Sequence, residues 1–475
     1  MKILLINPPS QNEILSCNPE IIKTERGFDP PLGLLYLAGY LKKHSNHELK
    51  IIDAQVEKLN YQKLQEKIKK YSPDVVGITT MTFTLLDVLK TAEISKRVSP
   101  QVKIVLGGPH VHIYPEETIN LKDVDFVVSG EGEETFHKLL ENINNSDELK
   151  KISGLVFKHN GEIINTGIKK YCEDLDSLPF PPREMLPYKK YFSLLAKKSP
   201  ITTMFTSRGC PFQCAFCDRP NMGKIFRKRS AENVVDEMEE CLNLGIKEIF
   251  VYDDTFTVDN QRVIDICEEI LRRKLKFSWD IRARVDTVNE EVLKLLKKAG
   301  CERIHYGVEG GTPKILKVLN KNINLEQVLK IFKLTKKMGI DTLAYFMIGS
   351  PTETKEDILE TIKFAKKLNP DFVQITLLTP FPATRVYNWA LEQKVFENDY
   401  WLEFAKNPQR SFKTKYWTKE LSNEELQSLL NYAYKQFYVR PSYILKRLIK
   451  IRSFPELIRK VRAGLKVIKL KKRAI

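Results

Sequence analysis

Short apolar runs alternate with amphipathic segments in two separate stretches of this sequence, and that alternation restricts the chain to the α/β class. In the first stretch, Lys2 to Asn7, Leu49 to Asp53, Asp74 to Thr80, Lys103 to Leu106 and Phe126 to Ser129 read as strands. Pro31 to Lys43, Tyr61 to Tyr71, Leu85 to Val98 and Glu133 to Ile143 read as the helices between and after them. Five apolar strands separated by helices predict a doubly wound parallel sheet covered on both faces. Ligands of such sheets sit beyond the carboxyl ends of the strands. A second series begins at Ile201, with strands at Ile201 to Thr206, Lys247 to Tyr252, Phe277 to Arg284, Arg303 to Val308, Thr342 to Ile348 and Phe372 to Leu378. Polar and glycine-rich residues collect where these strands end, as in Asp253-Asp254-Thr255, Glu309-Gly310-Gly311 and Gly349-Ser350-Pro351-Thr352-Glu353. Barrel enzymes place their chemistry there, and the series fits a partial (β/α)6 barrel.

The first strand of the second series runs through Ser207-Arg208-Gly209 into Cys210-Pro211-Phe212-Gln213-Cys214-Ala215-Phe216-Cys217. Thiolates at this spacing on one loop can converge on a single metal site. A structural zinc would need a fourth Cys or His close by. None of the seven histidines is near in sequence, and Cys17, Cys172, Cys241, Cys267 and Cys301 are scattered singly. An iron–sulfur cube held by three cysteines keeps one iron open, which reductive cleavage of a bound molecule requires. The Cys-x3-Cys-x2-Cys run, with an aromatic before its third cysteine, resembles the signature of the radical S-adenosylmethionine (SAM) superfamily. The resemblance implies that Cys210, Cys214 and Cys217 hold a 4Fe-4S cluster, that SAM binds the open iron, and that electron transfer releases a 5′-deoxyadenosyl radical. It sets Phe216 against the adenine, Glu309 beside the ribose hydroxyls or the methionyl amine, Arg284 on a carboxylate, and Tyr252 and Asp254 in the same mouth. An intradomain salt bridge is the other reading of Arg284, and capping of the following turn the other reading of Asp254. An external electron donor such as flavodoxin or ferredoxin is implied as well.

In the first stretch, Asn7-Pro8-Pro9, Thr79-Thr80-Met81-Thr82, Gly107-Gly108-Pro109-His110 and Gly130-Glu131-Gly132-Glu133 follow strands directly. Glycine lets backbone approach a ligand closely. Together with Pro31-Leu32-Gly33, these ends resemble the cobalamin-binding (B12) domain found at the amino terminus of many radical SAM enzymes, over most of residues 1–145. The resemblance implies a corrinoid in contact with Asn7, Pro8, Pro9, Thr80, Gly107, Gly108, His110, Gly130, Glu131 and Gly132. One departure matters: the Asp-x-His-x-x-Gly loop of other cobalamin proteins belongs after the first strand, where this chain reads Pro8-Pro9-Ser10-Gln11. No protein histidine is therefore expected on the cobalt from that loop. His110 reads either as a loop residue bonded to backbone or as a group holding the corrin or its nucleotide tail. Glu131 and Glu133 read either as ligand contacts or as carboxylates at a helix N-terminus.

Gly154 to Gly167 reads as a β-hairpin around Asn160-Gly161, and Asp174 to Pro182 as an extended, proline-rich linker. The expected organisation is a Rossmann-like B12-binding domain over residues 1–150, hairpin and linker over 151–195, a radical SAM core over 196–390 and a helical region over 391–475. In that last region Tyr387 to Lys394 and Ser422 to Tyr438 have helical spacing, and the aromatic stretch Tyr400 to Trp417 is expected to close over the barrel mouth.

A net charge of +17 would by itself suggest nucleic acid, but +12 of it falls between Phe437 and Ile475, where thirteen Lys/Arg face a single acid, Glu456. Ile444, Leu445, Leu448 and Ile449 share one helical face in this tail, and Leu457, Ile458, Val461, Leu465 and Ile468 share another. Basic side chains on the remaining faces suit a bilayer interface with anionic headgroups, and suit equally the solvated face of a helix packed on the barrel. The tail lacks the interleaved aromatics of single-strand nucleic-acid binders. Eight cysteines without a disulfide framework point to a reducing compartment. The opening apolar run breaks at Pro8, too early for a signal peptide, and Leu32 to Leu41 is half the ~20 residues of a membrane span. The expected location is the cytoplasm, at the inner face of the membrane if the tail binds there.

A corrinoid module beside a radical SAM barrel implies hydrogen abstraction from an unactivated carbon, followed by methyl donation from methylcobalamin to the carbon radical. The first reading is thus a cobalamin-dependent radical SAM C-methyltransferase acting on a small-molecule or lipid-like substrate. Cyclisation or rearrangement without net methylation stays open, because relatives with the same two domains perform it. A corrinoid- or redox-sensing binding protein is a reading of another class, against which Glu309 and the Gly349 strand end stand, since a sensor has no use for a SAM cradle. A nucleic-acid-modifying enzyme anchored by its tail is the remaining one.

Overall fold

A computed structural model of the chain describes residues 1–14, 27–168, 170–218, 223–449 and 464. The first strands, β1 (Lys2–Asn7), β2 (Glu48–Asp53), β3 (Val75–Thr79), β4 (Lys103–Gly107) and β5 (Phe126–Val128), lie within a residue or two of their expected places. They pair in parallel. Side chains alternate between two covered faces. Leu4, Ile6, Val76, Ile78 and Ile104 pack under α2 (Tyr61–Tyr71) and α3 (Leu85–Val98). Ile3, Leu5, Val75 and Val105 pack under α1 (Leu32–His44) and α4 (Glu133–Asn142). The sequence places the hairpin with the linker; in the structure its strands β6 (Leu155–His159) and β7 (Glu162–Asn165) extend this sheet, β6 running antiparallel to β5. The turn between them needs left-handed backbone at Asn160 and Gly161, φ 52° and 83°, which these two residue types tolerate. The resulting order is β2-β1-β3-β4-β5-β6-β7. Connections run to opposite sides from β1, so a crevice opens beyond the carboxyl ends of β1 and β3.

The linker is packed rather than loose. Leu175, Arg183, Leu186 and Tyr191 are buried. Arg183 donates to Glu237 at 2.6 Å and to Thr202 at 2.9 Å in the second domain. Tyr191 donates to Asp53 of β2 at 2.8 Å. Proline content predicts an extended backbone but says nothing of what covers it.

Six strands form the second sheet in sequence order: β8 (Ile201–Met204), β9 (Glu248–Val251), β10 (Ser278–Ala283), β11 (Cys301–Glu309), β12 (Asp341–Ile348) and β13 (Phe372–Leu377). All are parallel. Helices α5 (Ala231–Asn243), α6 (Asn260–Arg272), α7 (Glu290–Lys298), α8 (Leu325–Lys337) and α9 (Lys355–Leu368) return the chain between them. Ser230, Asp259, Asn289, Asn324 and Thr354 each cap the first turn of the helix that follows, a contribution of about 1 kcal/mol apiece. Trp279, Ile281 and Ala283 of β10 and Ile304, Tyr306 and Val308 of β11 belong to the core under the helices. Period-two alternation therefore turns Asp280, Arg282 and Arg284, with Arg303 and His305, to the inner face.

Beyond the barrel come α10 (Arg385–Glu392), α11 (Tyr400–Lys406), α12 (Asn423–Tyr438) and α13 (Pro441–Ile449). Helix α12 covers the edge strand β13: the Tyr434 hydroxyl bonds both backbone groups of Ile375, and the Tyr438 hydroxyl both of Val373. An edge that would otherwise present free donors and acceptors is thereby satisfied. The aromatic stretch clusters Tyr400, Trp401, Phe404 and Trp417 with Leu85 and Tyr114 of the first domain and Ala215 of the cysteine loop. Ile444 and Leu445 of α13 are exposed. The remaining apolar positions read as a membrane-facing tail, from Leu448 onward, lie outside the residues whose side chains are described. Among the described residues no helix is long and apolar enough to cross a membrane.

Candidate active site

The cysteine loop leaves and re-enters the barrel through a two-residue antiparallel ribbon, Ser207–Arg208 against Arg227–Lys228. Asp253, just past β9 and fully buried, fixes its near strand by accepting from the backbone and hydroxyl groups of both Thr206 and Ser207. Arg208 and Arg227 face each other across the ribbon and both reach Glu131, at 3.1 and 2.9 Å. Arg208 also donates to Glu133 at 2.6 Å and lies 5.0 Å over the Tyr36 ring. Burial by itself raises the Glu131 carboxyl, but Arg227 and Arg208 outweigh it and hold the group below its ordinary range. Glu131 and Glu133, expected at a ligand or a helix N-terminus, are thus engaged by arginines at the base of the cysteine loop.

The far side of the loop rests on the turn that ends the short helix Pro313–Val318 after β11. Ala215 N–H donates to the Leu319 carbonyl at 2.9 Å, and Asn320 donates to the Gln213 carbonyl at 2.6 Å. Arg284 lies flat on Phe212 at 3.9 Å. Its guanidinium fork is taken by Asp286 at 2.9 and 2.8 Å, so the intradomain salt bridge is what this arginine makes. It also donates to the Lys321 carbonyl at 2.7 Å and lies 3.6 Å from Cys214 Sγ. Glu309 sits at a register shift between β11 and β12 with φ +70°, a conformation that costs a non-glycine residue of order 1–3 kcal/mol and clusters at functional sites. Its Oε1 accepts from Lys321 Nζ at 3.0 Å. Gly307 leaves room for the pair, because a Cβ there would lie 2.3 Å from Glu309 Oε1. Phe216 lies 6.0 Å from Lys321 Nζ. Tyr252 contacts the first domain: its hydroxyl donates to Asp29 at 2.6 Å, and Arg282 stacks on its ring at 3.6 Å.

All three loop thiols are free. Cys210 Sγ is 3.8 Å from Thr255 Oγ1. Cys217 is exposed, while desolvation by the surrounding protein, followed by the Cys214 charge, pushes its thiol up to about 12. Neighbouring thiols that oppose one another's ionisation fit a cation that takes up their charge. Among the described residues no three His, Cys, Asp or Glu side chains converge tightly enough for a lone metal ion, and a cube of four irons needs its thiolates spread over separate corners instead.

At the crevice of the first domain, Asn7 donates to Asp53 at 2.8 Å, and Gln55 donates to the Pro8 carbonyl at 3.2 Å. Pro8, Pro9 and Thr80 are buried. Gly108 has φ +117° and packs on Thr80, whose carbonyl would lie 3.0 Å from an added Cβ. Gly107 and Gly132 have looser neighbours, and Gly130, with φ +78°, faces open space. His110 is buried; its Nδ1 is 3.0 Å from the Thr82 hydroxyl, its Nε2 has no partner, and burial lowers the ring to about 4. Met81 is exposed at the end of β3. Burial lowers the His112 ring, and Ala215 of the cysteine loop clusters with Leu85 and Tyr114 of the first domain, so the cysteine loop packs against that domain. An apolar exposed side chain, an open glycine and an unpaired buried imidazole fit a large ligand with an apolar face and polar rim. Sequence reasoning gave no role to Arg208, Arg227, Asp253, Lys321 or His112; only Arg208, two residues before Cys210, and Asp253, in a polar strand end, carried a positional signal.

Residues 204–365 match the family model of the radical SAM superfamily, and residues 21–140 match that of the B12 binding domain. An uncharacterized methyltransferase of Pyrococcus horikoshii is 38% identical over 457 residues, 96% of both chains. The anaerobic magnesium-protoporphyrin IX monomethyl ester cyclase of Rubrivivax gelatinosus is 31% identical, over 75% of this chain and 66% of that one. The fold matches the radical S-adenosylmethionine methyltransferase TsrM from Kitasatospora setae, solved with cobalamin and a 4Fe-4S cluster, with TM-score 0.72 at 18% identity over 93% and 90% of the two chains. The matched domains bring a 4Fe-4S cluster and SAM to the barrel and cobalamin to the first domain. With near-complete coverage of a methyltransferase relative, the chain belongs to the cobalamin-dependent radical SAM methyltransferase family.

Proposed function

We propose that the protein methylates an unactivated carbon of a small-molecule substrate held between the cysteine loop and the crevice of the first sheet. The observation that supports this reading is the packing of the cysteine loop on the first domain, Ala215 clustering with Leu85 and Tyr114 and Arg208 pairing with Glu131 and Glu133. When bound, the cluster and SAM supply a primary radical and cobalamin supplies the methyl group. Cys210, Cys214 and Cys217 ligate the cluster, and Arg284 steadies the Cys214 sulfur. Glu309 and Lys321 receive the polar groups of SAM, with Phe216 beside its adenine. His110 and the open Gly130 meet the corrinoid. Enclosure by both domains and the aromatic stretch keeps water from the radical. An external one-electron donor of the flavodoxin or ferredoxin kind completes the cycle.

Anaerobic incubation with reductant, methyl-labelled SAM and cell extract is expected to give 5′-deoxyadenosine together with label in one product. Label absent from every product while 5′-deoxyadenosine forms would favour cyclisation, the activity named for the Rubrivivax relative. Absence of 5′-deoxyadenosine would remove both readings.

The basic carboxyl-terminal segment is proposed to rest on anionic lipid, on the strength of its charge of +12 and its apolar residues. Deleting residues 441–475 is expected to cut binding to vesicles containing phosphatidylserine at least tenfold, in line with about 1 kcal/mol for each basic residue near the surface. Unchanged binding would end that proposal.

A further inference from the structure

The inner face of the barrel is heavily charged, and its cations divide into held and unheld. Arg284 is held by Asp286, Arg303 by Asp280, and Lys321 by Glu309. Among the described residues, Arg282 on β10 has no carboxylate within ion-pair distance. Its Nη1 donates to the Val251 carbonyl at 2.8 Å and its guanidinium stacks on Tyr252. The residue is half-buried.

No nearby carboxylate pairs with it directly, and Asp280 acts on it only from beyond ion-pair distance. Asp280 is already shared by Arg303 at 2.8 Å and His305 at 3.2 Å. His305 bonds the Tyr345 hydroxyl at 2.8 Å through its other nitrogen. The Tyr252 hydroxyl is spent on Asp29. A half-buried guanidinium is costly to keep without a counter-charge, and its planar fork matches a carboxylate or phosphate bidentately. Stacking on Tyr252 fixes the plane of that fork in advance. Arg282 lies two residues before Arg284 on the same strand face, one layer deeper in the barrel than the cysteine loop.

We infer that Arg282 receives an anionic group of the substrate, of the carboxylate or phosphate class, and so orients the carbon to be methylated. The inference rests on the reading of the barrel as the substrate site. The same chemistry is offered by the carboxylate of SAM and by the phosphate of cobalamin, and the experiment separates these sources.

The full chain, reconstituted anaerobically with iron, sulfide and cobalamin, is titrated with inorganic phosphate in the presence of SAM and followed by calorimetry. Saturable binding is expected for the wild type, weakened at least tenfold in Arg282→Gln and less in Arg282→Lys, which keeps the charge but not the fork, with unchanged affinity for SAM and for cobalamin. Cluster absorbance and melting temperature establish that both variants fold. In a second arm, methyl label from SAM is expected in a product retained by an anion exchanger. Arg282→Gln is expected to lose that product while still forming 5′-deoxyadenosine. Equal phosphate affinity in Arg282→Gln overturns the inference, as does a parallel loss of SAM or cobalamin affinity, which would assign the anion to that cofactor. Label in a product that the exchanger does not retain overturns it too, while leaving methyl transfer intact. If the wild type forms no 5′-deoxyadenosine, the functional reading fails by itself and the phosphate titration still decides whether the anion site exists.

Discussion

Cys214→Ala, prepared anaerobically with excess iron and sulfide, is expected to hold iron only at background level and to form no detectable 5′-deoxyadenosine. Cys214 is the middle ligand of the three. Its neighbours in the fold are the Arg284 guanidinium at 3.6 Å and the turn that fixes Ala215 and Gln213. Nothing beside it can take over: among the described residues no trio of ligating side chains converges on a lone metal ion, and Cys241, Cys267 and Cys301 are buried in the core under the barrel helices. Two thiolates cannot hold three corners of a cube. Cys267→Ala is the matched control, since that thiol is buried on the core side of α6, where desolvation pushes it up to about 12 and makes it inert. It is expected to keep full iron content and SAM cleavage. Intact iron in Cys214→Ala would show that the loop is not the cluster site.

Periodic features of this chain are legible in its sequence, and pairwise ones are not. Strands β1 to β5 and β8 to β13 announce themselves by apolar runs, and their helices by caps and period, because each signal lies within a dozen residues. Cysteine spacing is equally local. Tyr252 and Asp29 meet across 223 positions, Arg227 and Glu131 across 96, and Arg208 and Glu133 across 75. A charged residue at a strand end reads as a ligand contact when its partner is that far away. Glu131 shows the result, since Arg208 and Arg227 of the second domain engage it. The hairpin is a related case: Asn160-Gly161 specifies the turn, yet nothing near it specifies the edge of β5 on which it docks. Asp174 to Pro182 has a linker's composition, but burial of Arg183 follows from Glu237, on a helix of another domain.

Arg208→Ala is expected to lower the apparent melting temperature of the apoprotein by several degrees at pH 7 and to loosen the cysteine loop from the first domain. The guanidinium is shared by Glu131 and Glu133, all three groups being buried. Removing one partner from such a cluster leaves carboxylate charge without compensation, a loss of about 3–5 kcal/mol, here reduced because Arg227 still holds Glu131. The effect has a pH signature. A carboxyl held below its ordinary value, as Glu131 is, contributes stability that is present above its unfolded value and disappears as pH falls through the folded one. Without Arg208 that depression shrinks. The difference between wild type and variant is therefore largest near neutrality and narrows as pH drops below the ordinary carboxylate range. Arg208→Lys, which keeps a charge but not the fork, is expected to fall between the two. Coupling is tested by adding Glu133→Ala to Arg208→Ala: the double variant is expected to be less destabilised than the two single losses added together. Strict additivity, with a pH-independent difference, would mean that the first domain does not hold the base of the cysteine loop through this cluster.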